Sequence, residues 1–171
     1  TLSELAVISG IDWGHVNAFH MDEYIGLESG HPASFRNYLR CTIFDRLKLK
    51  SVNLIDGNSS DPENEARTYG ELLIEHPLDI CLMGIGENGH IAFNDPHAAN
   101  FSDPVPVKVV ELEERSRCQQ VNDGCFNSLE EVPKRALSVT IPWLISAKTL
   151  LCSVPGASKA QAVRETIYSG I

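Results

Sequence analysis

The chain has 171 residues and a formal charge of −9, from 14 Lys and Arg against 23 Asp and Glu. That length suits one domain, which would bury roughly 70% of its unfolded surface, and 43% hydrophobic with 22% charged residues is the balance of a globular chain in water. The acidic balance and the lack of a Lys/Arg-rich tract argue against nucleic acid as a partner. No apolar run approaches the ~18 residues of a membrane span, and no signal peptide is visible.

In chain order, Val16-Asn17-Ala18-Phe19 reads as a strand, followed by the polar segment His20-Met21-Asp22-Glu23-Tyr24. His31-Pro32 is expected to start a helix whose Phe35, Leu39, Ile43 and Leu47 face the core at near-helical spacing. Val52 to Ile55 is a short strand ending at the turn signal Asp56-Gly57. Asp61-Pro62-Glu63 opens a second helix with an N-cap, a proline at the first position and early negative charge. Ala66, Tyr69 and Leu73 form its apolar stripe.

Asp79 to Met83 is expected to be a buried strand. Residues 84–104 form a long polar loop, of a length that is usually functional or disordered. Val105 to Val110, Leu137 to Ile141 and Thr149 to Val154 read as strands, and Ser116 to Gly124 as a helix. Pro155 to Lys159 leads into a last helix ending at Tyr168. This alternation predicts an α/β fold: a Rossmann-like three-layer sandwich with a mostly parallel sheet, in one domain over residues 1–171. The chain begins at Thr1 without methionine, as expected of a fragment.

The five cysteines, at 41, 81, 118, 125 and 152, are odd in number and form no C-x-x-C pair. They read as small buried hydrophobes in a reducing cytosol, which points to a cytoplasmic protein.

Three segments carry candidate chemistry. Gly84-Ile85-Gly86-Glu87-Asn88-Gly89-His90-Ile91-Ala92-Phe93-Asn94-Asp95-Pro96 follows a strand, where open α/β sheets bind small molecules. Gly86 and Gly89 let the backbone turn and approach a ligand. His90 is a candidate acid–base group, Asp95 a carboxylate that fixes its tautomer, and Asn88 an orienting amide that cannot titrate. In the second segment Asp22 and Glu23 stand at a strand end, and Asp22 is a candidate general base. In the third, Gly156-Ala157-Ser158-Lys159 opens a helix, where free backbone N–H groups and Lys159 suit a phosphate. A metal reading from His20, His90, His97 and Asp95 lacks helical H-x-x-x-H spacing, so no metal is expected.

These segments together resemble the glucosamine-6-phosphate deaminase family, related to 6-phosphogluconolactonase. Phe19 to Leu27 looks like its F-x-M-D-E-Y-x-G-L, and His31 to Phe35 like H-P-x-S-[FY]. Gly84 to Pro96 is similar to G-x-G-x-[DN]-G-H-I-[AG]-F-N-[ED]-P, Val132 to Thr140 to V-P-x-x-A-[LM]-[ST]-[VL], and Gly156 to Lys159 to the G-x-x-K phosphate element. The resemblance implies conversion of glucosamine 6-phosphate and water to fructose 6-phosphate and ammonia, without metal or organic cofactor. It implies that Asp22 moves the C2 proton, that His90 opens the sugar ring with support from Asp95 and Asn88, and that Lys159 holds the phosphate. Gly86, Gly89, Gly156 and Ser158 join the substrate and phosphate site.

The family alternatives are a galactosamine-6-phosphate isomerase and a 6-phosphogluconolactonase. A noncatalytic sugar-phosphate-binding module is the alternative from another class. Relatives range from monomers to hexamers, so a homo-oligomer is compatible. Asp95 stands where glutamate is usual, and no arginine fills the phosphate position near Arg117 to Gly124. The resemblance also implies a strand and a Gly-Ser/Thr phosphate loop before Thr1 and a strand after Ile171, so terminal elements of the fold are expected to be missing.

Overall fold

The structure, a computed structural model, describes residues 2–168. The expected segments before Thr1 and after Ile171 lie outside them. After a short helix α1 (Leu2–Leu5), strand β1 (Asn17–Phe19) leads directly into β2 (Asp22–Tyr24). Helix α2 (Phe35–Thr42) precedes β3 (Ser51–Asn53), and α3 (Pro62–Glu75) precedes β4 (Ile80–Met83). The second half contains β5 (Val107–Glu111), α4 (Glu114–Asn122), β6 (Arg135–Val139), α5 (Ile141–Ile145), β7 (Thr149–Cys152) and α6 (Ala160–Tyr168).

The fold is mixed α/β, as expected. Its parallel pairs are β1 with β3 and β4 with β7. A separate antiparallel sheet has the order β2-β6-β5, and its β2 forms from the segment expected to be polar and irregular.

Helix α3 forms where the local signals agree. Asp61 caps it by accepting from the Asn64 N–H at 3.0 Å, and Pro62 takes the first position, where no N–H is needed. Its buried stripe is Ala66, Tyr69, Gly70 and Leu73. Burying Tyr69 or Leu73 is worth about 1.5–3 kcal/mol each. Gly70 allows Pro106 to pack at 3.3 Å from where a Cβ would stand. The Tyr69 hydroxyl accepts from the His20 N–H at 2.9 Å and also lies 2.9 Å from the His20 carbonyl, pinning the bend between β1 and β2.

Four expectations are corrected. Helix α2 starts at Phe35 with Ser34 as its cap; His31 and Pro32 lie in the preceding turn, and Leu47 follows a separate 3₁₀ turn. Strand β4 is buried only at Cys81: Ile80 and Leu82 are exposed, and so is every residue of its partner β7, so the pair is largely uncovered. Strand β6 ends at Val139, since Pro142 near the start of α5 turns the chain helical. Of the cysteines only Cys81 is buried, while Cys41, Cys125 and Cys152 are exposed.

Candidate active site

The site is placed by the β4–β7 pair. Met83 lies beside Cys152 in parallel register, so the loop after β4 and the turn after β7 leave the same end of the pair. The first carries residues 84–104 and the second carries Gly156 to Lys159. This explains how Lys159 reaches Glu87, with Nζ 3.4 Å from Oε1.

Within the loop, Gly86 N–H donates to the His90 carbonyl at 2.9 Å, and Gly89 N–H donates to the Gly86 carbonyl at 3.1 Å. Gly89 has φ +88°, a left-handed conformation that costs glycine nothing. The His90 imidazole packs directly on Gly86. Ala92, at φ +53°, holds the loop in a conformation unfavourable to residues bearing a Cβ.

His90 is oriented by a connected set of hydrogen bonds. Asn88 Nδ2 lies 2.9 Å from Asp95 Oδ1, 3.2 Å from Glu113 Oε2 and 3.2 Å from Ser116 Oγ. The two carboxylates accept from it, which fixes the amide and turns its carbonyl oxygen to His90. That oxygen accepts from the His90 N–H at 3.2 Å and lies 2.5 Å from Nδ1. An amide oxygen cannot donate, so we assign the ring proton to Nδ1, leaving Nε2 with its lone pair. Asp95 is fully buried and also accepts from the Glu113 N–H at 2.9 Å, at the start of α4, where the helix dipole favours negative charge. Its direct approach to His90 Nδ1 is 3.5 Å, so it acts mainly through Asn88. Burial lowers the His90 pKa from its ordinary value; Asp95 opposes that, Lys159 adds to it, and Glu113 and Glu87 oppose it.

Asp22 is buried on β2, opposite Ser138 of β6. Burial raises its pKa to about 7, and the neighbouring Glu23 charge adds to the rise. Directly paired residues share a face of an antiparallel sheet. Ser138 Oγ accepts from the Phe93 N–H at 3.1 Å and lies 3.3 Å from Asn94 Nδ2, so Asp22 shares the sheet face that receives the His90 loop. No hydrogen bond or ion pair joins Asp22 to His90 among the described residues.

Glu23 has a different role from its neighbour. It accepts from Ser34 Oγ at 2.7 Å and from the N–H groups of Phe35 and Arg36 at 3.3 and 2.8 Å, tying β2 to the start of α2. It is a structural carboxylate, not a second ligand-facing one.

Gly156, at φ +101°, and Ser158 are exposed in the turn before α6. The Lys159 side chain folds inward instead, 3.8 Å from Asp123 as well as close to Glu87. The metal candidates separate: His20 Nε2 accepts from the Ile55 N–H at 2.7 Å, apart from the loop. Asp95, His97 and Glu113 can each bring one ligand atom within 4.8 Å of the others. Those atoms are already engaged, His97 Nδ1 with Glu113 at 3.0 Å and Asp95 with Asn88 and the Glu113 N–H. Glu113 and Ser116 are site residues that sequence reasoning missed. The available signal was acidic Glu113-Glu114 ahead of a helix, following a buried aspartate with no other partner in view.

The comparisons with known proteins bear on the family and the fold. The family model described as glucosamine-6-phosphate isomerases/6-phosphogluconolactonase matches residues 1–170. Glucosamine-6-phosphate deaminase of Exiguobacterium sp. is 36% identical over 159 residues, covering 93% of this chain and 61% of the relative. The Listeria monocytogenes protein of the same name is 38% identical over 167 residues, covering 98% of this chain and 69% of the relative. The chain thus spans under two thirds of the first relative's length and slightly more of the second's. A solved monomeric glucosamine-6-phosphate deaminase superposes with TM-score 0.79 at 36% identity, covering 88% of this chain and 62% of that one. The 6-phosphogluconolactonase of Thermotoga maritima, at 16% identity and TM-score 0.74, covers 98% of this chain and 70% of its own and shares the fold. With a family model covering all but the last residue, the chain belongs to the glucosamine-6-phosphate isomerase/6-phosphogluconolactonase family.

Proposed function

We propose that this protein is a deaminating aldose–ketose isomerase that converts glucosamine 6-phosphate and water to fructose 6-phosphate and ammonia. The observation that carries the reading is the orientation of His90. Its Nδ1 proton is held by Asn88, itself fixed by Asp95, and Nε2 is left as a base. Such a nitrogen takes the anomeric hydroxyl proton and returns it to the ring oxygen, opening the pyranose.

Asp22 is the group we assign to the C2 proton. A carboxyl with a pKa of about 7 is populated in both protonation states near neutrality, so it can accept a proton at one carbon and deliver it at the next. Excluding water there protects the enediol-type intermediate. Lys159, beside the same loop, is the assigned phosphate ligand, with Gly156 and Ser158 offering backbone and hydroxyl donors. To bind phosphate, Lys159 exchanges its contacts with Glu87 and Asp123.

We read residues 1–171 as one sugar-phosphate-isomerase-like unit. A cytoplasmic location is supported by five free thiols. The test is a panel assay on the purified protein with glucosamine 6-phosphate, galactosamine 6-phosphate and 6-phosphogluconolactone. Ammonia and fructose 6-phosphate from the first substrate are the expected products. Acid release from the lactone without ammonia from either amino sugar overturns the proposal, as does binding of all three without turnover.

A further inference from the structure

Ser116 lies on α4, outside the loop and outside every segment that carried the sequence resemblance, yet its hydroxyl sits at the centre of the His90 cluster. It is 3% exposed. Its Oγ donates to Asp95 Oδ1 in the shortest contact of the group. It also stands 3.2 Å from Asn88 Nδ2 and 3.3 Å from His90 Nδ1.

A serine has one proton and two lone pairs. Asp95 is fully buried and takes the proton, because a carboxylate there has only acceptors to offer. One lone pair then faces His90 Nδ1–H, while the other lies 3.2 Å from Asn88 Nδ2, whose two protons go to the Asp95 and Glu113 carboxylates. His90 Nδ1 accordingly meets two acceptors, Asn88 Oδ1 and Ser116 Oγ, and no donor. We propose that Ser116 is a positioning residue for His90: its hydroxyl, polarised by Asp95, locks the imidazole in the Nδ1–H tautomer and keeps Nε2 free for the substrate.

Ser116 acts through His90 and touches no reacting atom. The placement at the third position of α4 follows from the helix start: Glu113 N–H binds Asp95 Oδ2, and one turn of helix then brings Ser116 back over Oδ1. Asp95 therefore bridges the entry to the helix and its first turn. Asn88 alone holds the ring by one oxygen, whose position depends on the same carboxylate. With Ser116 in place, the Nε2–H tautomer would set an unprotonated Nδ1 against two acceptors, Asn88 Oδ1 and Ser116 Oγ, with no proton between them. This inference rests on the assignment of His90 as the ring-opening group, but its geometry is independent of which sugar phosphate is turned over.

The test is nitrogen-15 NMR of the His90 imidazole in the unliganded chain, assigned by comparison with His90→Gln, through a pH titration. In the native protein Nδ1 and Nε2 should show well-separated shifts, as a protonated and a lone-pair nitrogen. Ser116→Ala should draw the two shifts together as both tautomers become populated, and Ser116→Thr, which retains the hydroxyl, should restore the separation. Ser116→Cys fills the same space with a weak hydrogen-bonding group and is read in the same way if the alanine variant does not fold. Unchanged shifts and an unchanged titration in folded Ser116→Ala or Ser116→Cys overturn the proposal. Because the readout needs no turnover, failure of the deaminase assignment in the substrate panel is seen separately.

Discussion

His90 lies on Gly86 so closely that a Cβ built at Gly86 would stand 2.1 Å from the ring Cε1. The glycine is a hydrogen atom's width of floor beneath the imidazole. Gly86→Ala should therefore displace the ring and break its register with Asn88. A displacement of about 1 Å costs on the order of 10²-fold in rate. Steady-state kinetics on the variant, with circular dichroism to confirm folding, check this; near-native activity would show that the ring position does not matter.

Asp22 gives a prediction in both activity and stability. Asp22→Asn should lower kcat by about 10²-fold or more, the usual scale of a lost general base. Its folded pKa, about 7, is above the unfolded value near 4. The native state then holds the extra proton between those values, so the stability contribution is full below about pH 4 and is lost as pH rises to about 7. Asp22→Asn should be relatively more stable than the native protein at pH 8, with the advantage shrinking toward pH 4. Urea titrations at the two pH values measure it.

Asn88→Asp brings a carboxylate to His90 and removes the amide that Asp95 and Glu113 hold. The added negative charge favours the imidazolium, so the His90 pKa should rise from its burial-lowered position. If neutral His90 is the working base, the acid limb of the kcat/KM profile should move to higher pH. A limb that stays in place would count against His90 as the titrating group.

Glu23→Ala removes an acceptor shared by Ser34 and the first N–H groups of α2. Hydrogen bonds to a charged group are worth about 1.5–3 kcal/mol each, and with three removed a loss of about 4.5 kcal/mol or more is expected, less what water restores to the freed donors. The variant's denaturation midpoint reports it directly, and a shift below the noise would mean that α2 is capped by Ser34 alone.

Glu87→Gln releases Lys159 from its nearer carboxylate. Contacts of this kind are worth up to about 1 kcal/mol, so KM for the sugar phosphate should fall by up to about fivefold while kcat changes little. An unchanged KM would remove Lys159 from the phosphate site.

How far the sequence could be read depended on how local the information was. Helix α3 was legible because its cap, its proline and its apolar stripe all lie within its own residues. The His90 loop was legible for the same reason: Asn88, His90 and Asp95 occur within eight residues of one another. Strand β2 was not. Asp22, Glu23 and Tyr24 are polar or amphipathic, too few to show a period, and they pair with Ser138, Leu137 and Ala136 far along the chain. The same distance hid Ser116 and Glu113, whose helix has no strong apolar face and whose partner is a loop aspartate. The role of Glu23 was hidden because a carboxylate that caps a remote helix leaves no mark in its own neighbourhood.

The hydroxyl of Ser138 has a mechanical consequence. It grips Phe93 and Asn94 from below, while its own strand is laced to β2 on one side and β5 on the other. Acid and imidazole are thereby mounted on one girder. Any change at Ser138 therefore reaches both candidate groups at once.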